Sequence, residues 1–458
     1  MSASERLYSA LIRRDADAAD DMPAQARASI GPNGARLVLA NSLQSSGDQT
    51  VNASTVLPWL FGVLGVPPAL TGLLVPIRES GSMLPQALLT PLVLRVKYRK
   101  WVFVAGALVQ SGAVAAMAAT AALGEGLGAG LVILAALVIF ALGRCLCSIA
   151  SKDVQGRTVP KGERGQITGL AITAAGLVAV TLGLAVRCVG GQDLSASQLA
   201  WVLTVGAGLW VAVVVVYSGI REPAGDVEGS STASATPHTA STQRNNVSEG
   251  PSKTENWVVE MGRLLRQDKP FRHFVTVRGL LLVTSLSPPF IVTLSLQSGV
   301  DSLAGLGGFI IASGLAALIG GRLFGGFADR SSKKLMSFGA GAASAIIIVT
   351  VAVLALPGFP GEGWLAGLLF VAVYFLVTLL HTGVRVGRKT YVVDMAEGDK
   401  RTKYVAVSNS AMGLILLLVG GVSSLLAIFH VAWALLFLAL MGLVGVFAGA
   451  RLPDVSRG

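Results

Sequence analysis

One feature limits what this chain can fold into more than any other: apolar runs of about 18 residues or more, such as 280–296 and 411–428, recur along it with short polar stretches between. A bilayer core has no water to satisfy backbone N–H and C=O groups, so runs of this length cross it as helices. Only 13% of the 458 residues are charged, where a soluble domain carries about a quarter. The sequence therefore predicts an all-α polytopic membrane protein.

Twelve spans are read from the pattern: 35–64, 68–94, 101–122, 131–150, 167–186 and 199–219, then 274–296, 302–327, 335–356, 364–382, 404–428 and 431–450. Charge supports that number. The stretches after spans two, four, six, eight and ten are rich in Lys and Arg, as with Arg95, Lys97, Arg99 and Lys100. Those after spans one, three, seven, nine and eleven hold none, and only Arg187 falls on the poor side. Basic loops stay on the cytoplasmic face, which places both termini there and makes the chain a multi-pass protein of a bacterial plasma (inner) membrane. The net charge of +11 marks topology rather than a nucleic-acid surface, because it is spread among the loops.

The domain reading is a tail (1–34), a six-helix bundle (35–219), a linker (220–271), a second six-helix bundle (272–450) and a short tail (451–458). Leu7, Leu11 and Ile12 share one helical face, so residues 4–14 lie along the inner membrane surface or stay solvated. Residues 230–253 are rich in Ser, Thr and Asn and read as a disordered linker. Trp257, Met261, Leu264 and Leu265 then give a short amphipathic helix ahead of span seven. Cys145, Cys147 and Cys188 are too few for a disulfide framework and have no further metal ligand nearby, so they read as packing residues. No cofactor, no metal site and no catalytic motif is expected, and the chain is read as a non-enzyme and a monomer.

Two adjacent charges, Arg78 and Glu79, stand inside span two. An isolated charge at mid-depth costs roughly 2.5 to 3.5 kcal/mol, so such groups face a polar cavity or a partner. Glu79, Ser82, Gln86 and Thr90 recur at helical spacing as one polar stripe. Arg78 points about 100° away from Glu79, and Asp48 of span one is the nearest anion for it. Arg144 in span four is a further candidate for lining a cavity, with His381 near its repeat position. A structural ion-pair network joining spans one, two and four would use the same residues. Arg278 and Arg322, near the ends of spans seven and eight, are expected to snorkel to the interface. Pro58, Pro76, Pro85, Pro288 and Pro289 mark bends. Gly169, Gly176 and Gly183 place small residues on one face of span five.

The two halves repeat. Gly162, Glu163 and Arg164 after span four match Gly398, Asp399 and Lys400 after span ten, and 95–100 faces 330–335 at nearly the same offset. With that repeat, the central linker and the sequence GGFADRSSKK at 325–334, the chain resembles the major facilitator superfamily of secondary transporters. Gly325, Asp329, Arg330, Lys333 and Lys334 fit the family's loop signature, and Ser332 departs from it. The resemblance implies that this loop helps lock one conformation. In the first half, Leu94 stands where the signature has Asp.

The resemblance implies a permease that moves a small polar or anionic solute by alternating access, driven by a proton gradient. Asp48, Glu79, Ser82 and Gln86 are candidates for coupling, and Arg78 and Arg144 for holding the solute. Two other readings stay open: a drug or metabolite efflux antiporter, and a transporter-like receptor or scaffold that does not transport.

Overall fold

The computed structural model describes residues 3–12, 22, 24–190, 194–223, 262–263, 266–298, 305–356, 363–395 and 399–451. The 230–253 linker and the residues Trp257, Met261, Leu264 and Leu265 of the expected short amphipathic helix lie outside them, as do the side chains of Arg322, Asp329 and Arg330 and the surroundings of Gly325. Every regular element among the described residues is helical. In chain order these are α1 (Ala3–Leu11), α2 (Ile30–Thr50), α3 (Val56–Val63), α4 (Pro68–Met83), α5 (Gln86–Leu94), α6 (Lys100–Leu123), α7 (Gly126–Thr158), α8 (Lys161–Gly190) and α9 (Ala196–Ser218). After the central stretch come α10 (Lys269–Val283), α11 (Ser287–Gln297), α12 (Leu306–Arg330), α13 (Ser332–Leu354), α14 (Trp364–Met395), α15 (Asp399–Phe429) and α16 (Val431–Gly449). A four-residue helical turn, Ala24–Arg27, precedes α2.

Nine helical segments among the described residues are long and apolar enough to cross a bilayer. Of the remaining segments, α2 carries several polar residues and is broken from α3, and α4 is broken from α5. Between α2 and α3 the chain turns at Asn52, whose side-chain oxygen accepts from Ser54 N while its carbonyl accepts from Thr55 N and Leu57 N. Pro85 separates α4 from α5 because it has no N–H to continue the first helix. A 3₁₀ turn, Thr284–Leu286, leads from α10 into Pro288 and Pro289 in the first turn of α11. Pro58 and Pro76 sit within helices that continue past them.

Large apolar side chains such as Trp201, Phe447 and Leu123 face outward, as expected of surfaces that meet lipid. The segment Phe271–Gln297 is the exception, with 89% of its apolar window enclosed against 33 to 56% for the other candidates. It runs through the middle of the bundle. Across the chain's two halves, α4 lies along α15 and α8 along α12. Ser80 Oγ donates to the Gly413 carbonyl at 2.7 Å. A Cβ added at Gly183 would lie 2.8 Å from the Gly307 carbonyl oxygen, and one at Gly176 would lie 3.3 Å from that of Gly314. The expected small-residue face is therefore used at two of its three glycines, for a Cβ at Gly169 would meet nothing within 4 Å.

Two expectations are corrected. Helix α1 neither lies free on a surface nor stays solvated: it packs on α2, burying Tyr8 and Ile12 rather than Leu11, and Tyr8 donates to Glu163 at 2.5 Å. Arg278 does not snorkel. It is buried, with Nη1 donating to Ser408 Oγ at 2.6 Å and Nη2 to Asn409 Oδ1 at 3.2 Å, beside the Phe274 ring. Guanidinium donors that find fixed acceptors inside the bundle have no need of the interface. Cys147 acts in packing, between Gln110 Nε2 at 3.2 Å and the Phe103 carbonyl at 3.4 Å.

Candidate functional site

A polar cavity of about 400 Å³ opens where the two halves of the chain meet. Its first-half wall carries Asp48, Asn52, Arg78, Glu79, Ser82 and Arg144, and its second-half wall Ser313, Tyr374, Thr378, His381 and Arg385. The crossing of α4 and α7 sets the geometry. A Cβ at Gly81 would lie 2.7 Å from that of Ala141, so the two helices approach closely one turn from Arg78 and Arg144.

Asp48 is buried and divides its carboxylate between two guanidinium groups. Arg78 Nη2 donates to Oδ1 at 3.1 Å, the partner expected for it, and Arg144 Nη1 donates to Oδ2 at 2.5 Å. Such a bridge offsets the desolvation of three charges at once. Glu79 points elsewhere, and its Oε1 lies 3.9 Å from Arg385 Nη2 on α14. This ion pair joins the two halves. Opposite, buried His381 places Nε2 3.1 Å from Thr284 Oγ1.

The polar stripe on span two does not run down the cavity as a whole. Ser82 Oγ donates to the Glu79 carbonyl, Gln86 Nε2 to that of Ser82, and Thr90 Oγ1 to that of Gln86. Ser82 still lines the cavity, but Gln86 is not among its lining residues: its side chain reaches back across the Pro85 break to the last turn of α4. Lys333 and Lys334 of the loop signature lie apart from the cavity. Lys333 Nζ reaches the Ala450 carbonyl at 3.0 Å, and Lys334 borders a small apolar hollow with Phe324, Phe327 and Phe338.

A cluster of rings adjoins the cavity at Tyr374. Trp59 of α3, Phe309 of α12 and Tyr374 of α14 are buried, with centroids 6.4 Å apart for Trp59 and Phe309 and 5.2 Å for Phe309 and Tyr374. Leu296 of α11 fills the space over Gly62 of α3 at the same end. At the opposite end of the first half, Asp153 of α7 meets Arg99 at 2.5 Å and Arg157 at 2.8 Å. Glu222 there caps α6, accepting from Arg99 N at 3.2 Å and Lys100 N at 2.9 Å. Burial pushes the Glu222 carboxyl above its usual range, and the two amides partly oppose that.

Arg385 is the charged cavity residue that the sequence did not single out; Tyr374 and Thr378 were not singled out either. Arg385 stands at the start of a basic run with Arg388 and Lys389, which reads as loop, yet α14 continues to Met395. Its spacing of four residues from His381 was the available signal.

A bundle of this topology, with its cavity between the chain's halves, defines a class of membrane transporter fold. Solved structures match it over nearly the whole chain: a POT family transporter in complex with a thioalcohol-conjugated peptide, at 12% identity and TM-score 0.65, covering 94% of this chain and 98% of that one. A variant of the nucleoside transporter NupG matches at 14% identity and TM-score 0.66, over 92% and 99%. The xylose transporter XylE from E. coli, in an inward-open conformation, matches at 12% and 0.62, over 92% and 96%. The fold is that of the major facilitator transporters, and the chain is a multi-pass membrane protein. No protein-family model and no curated protein matches it.

Proposed function

We propose that this protein is a secondary active transporter that moves a small polar or anionic solute by alternating access and is driven by protons. In this reading the chain crosses the membrane twelve times in two six-helix bundles, with α2–α3, α4–α5 and α10–α11 each making one broken crossing. The basic stretches put both termini in the cytoplasm. The observation that carries the reading is the cavity itself, where two carboxylates and three guanidinium groups gather between the halves; in this reading the rings beside Tyr374 close one end of it. Costly intramembrane charges that face a shared cavity mark solute and proton pathways. A D-xylose-proton symporter is among the chains of like fold, which supports proton coupling.

Glu79 is the proton carrier in this scheme, because its partner lies on the other half of the chain and its charge therefore ties the halves together. Uptake of radiolabelled sugars, organic acids and nucleosides into proteoliposomes, with and without an imposed pH gradient, tests the proposal. The gradient should drive accumulation of at least one solute class. Flux that ignores the gradient would remove proton coupling, and solute-dependent stabilisation with no flux for any compound would favour a receptor.

A further inference from the structure

Helix α1 takes no part in any span, yet it is fitted closely into the bundle. Gly31 and Gly34, in the first turn of α2, leave a notch. A Cβ at Gly31 would lie 2.7 Å from Glu5 Cγ, and one at Gly34 would overlap the Tyr8 ring. Glu5 and Tyr8 are themselves one turn apart, so one face of the short helix keys into one face of α2. Tyr8 has no exposed surface, and its hydroxyl donates to the equally buried carboxylate of Glu163 in the first turn of α8, 2.5 Å away. The turn that carries Glu163 is closed on itself by Arg164, which donates to the Gly156 and Val159 carbonyls. Through Tyr8, α1 therefore joins the start of α2 to the start of α8.

Along α8 that join lies beyond the close contacts with the second half. Helix α8 packs on α12 at Gly183 and Gly176, but a Cβ at Gly169, on the same face, would meet nothing within 4 Å. Gly183 meets Gly307, within one turn of Phe309 in the ring cluster, so these contacts lie at the ring end and in the middle. Glu163 precedes Gly183 by 20 residues, about 30 Å along the helix, at the end where the close approach to α12 is not continued. Ile172 and Ala175 of α8 and Ser313 and Ala317 of α12 line the cavity between. We propose that α1 is a conformational clasp. With Tyr8 docked on Glu163, the start of α8 is held to α2, in its own half, and off α12; with Tyr8 released, it closes on α12 and narrows that end of the cavity. The inference rests on the alternating-access reading and adds to it a control that lies outside the crossings. Ring and hydroxyl have separate parts: the ring fills the glycine notch, and the hydroxyl makes the bond to α8. Were the first half to move as one rigid body with α1 attached, Tyr8 would contribute to stability alone.

The test is a distance measurement by double electron–electron resonance on the purified full-length protein in detergent, with Cys145, Cys147 and Cys188 replaced. Nitroxide labels go at Thr168 of α8 and Leu323 of α12, both exposed and toward the ends in question. Wild type should give mainly the longer distance. Y8F, which keeps the ring in the notch and loses the hydroxyl, should raise the shorter-distance population relative to the longer by roughly fivefold, the effect of one buried hydrogen bond. Y8A should raise it further, and Y8F serves alone if Y8A does not fold. S9A, on the exposed side of α1, should match wild type. A lowered melting temperature in Y8F with an unchanged distance distribution would make Tyr8 a structural support and overturn the clasp. A shift in S9A as large as that in Y8F would overturn it too. The labels report without solute or gradient. Absence of uptake for every solute removes the transport reading and leaves the shift in Y8F standing, whereas intact uptake with unchanged distances removes the clasp alone.

Discussion

Asp48 and Glu79 lie in one cavity but have different partners, and substitution should separate them. Removing the Asp48 charge leaves two guanidinium groups facing each other without their shared anion. Breaking such a partly buried network costs roughly 3 kcal/mol or more, so D48N should lower the melting temperature in detergent by many degrees and reduce yield. Glu79 is more open, with 28% of its side chain exposed against 10% for Asp48. E79Q should therefore melt close to wild type while losing gradient-driven uptake. If E79Q retains that uptake, the Glu79 carboxylate is structural. The residues of this group stood out in the sequence because a charge inside an apolar run is expensive, and the Asp48–Arg78 pairing followed from helix geometry. Arg385 was not legible for the converse reason: at the end of an apolar run, next to further basic residues, a charge looks like an ordinary loop. Nor was the loss of Gln86 from the cavity, since a side chain's choice of its own backbone depends on the break at Pro85.

At the scale of elements, the crossing of α8 and α12 is the contact most sensitive to volume. A Cβ at Gly183 would lie within 3.0 Å of backbone atoms of Gly307 and Ile311, and backbone cannot give way as a flexible side chain does. G183V should separate the helices, lowering thermal stability by an overpacking penalty of about 1–3 kcal/mol and slowing uptake. G169V, on the same helix where a Cβ meets nothing, should behave as wild type in both measurements. Equal behaviour of the two variants would show that this crossing does not hold the bundle together. Seven-residue spacing revealed the small-residue face, but not how far along α8 it is used. That extent is set by where α12 crosses. The breaks in spans two and seven were foreshadowed by prolines, whereas the turn after Thr50 depends on Asn52 satisfying three backbone amides, which no hydropathy window registers.

For the whole molecule, the recurrence of long apolar runs sufficed to predict an all-helical multi-pass chain, because it reflects the membrane rather than any one contact. The fold matches solved transporters at 11 to 14% identity, which shows how little of it depends on particular side chains and how much on helix order and polarity. Orientation is directly testable. In a background without Cys145, Cys147 and Cys188, a cysteine at Glu125, between α6 and α7, should react with an impermeant maleimide from outside intact cells. One at Tyr98, between α5 and α6, should react only after permeabilisation. The reverse result would invert the topology.

In the proposed alternating-access cycle, the ring cluster of Trp59, Phe309 and Tyr374 also sets an equilibrium constant for the end it would close. Each aromatic pair contributes about 0.5–1.5 kcal/mol beyond the area it buries, and every 1.4 kcal/mol is a factor of ten. Two such contacts bias the closed end by roughly one to two decades. W59A should shift that population, so that a cysteine placed at Ser45 on the cavity wall reacts faster from the ring-closed end. In the proposed cycle the tightness of three rings is thus a resting position, one that solute and proton would together outweigh before the protein faced the other way.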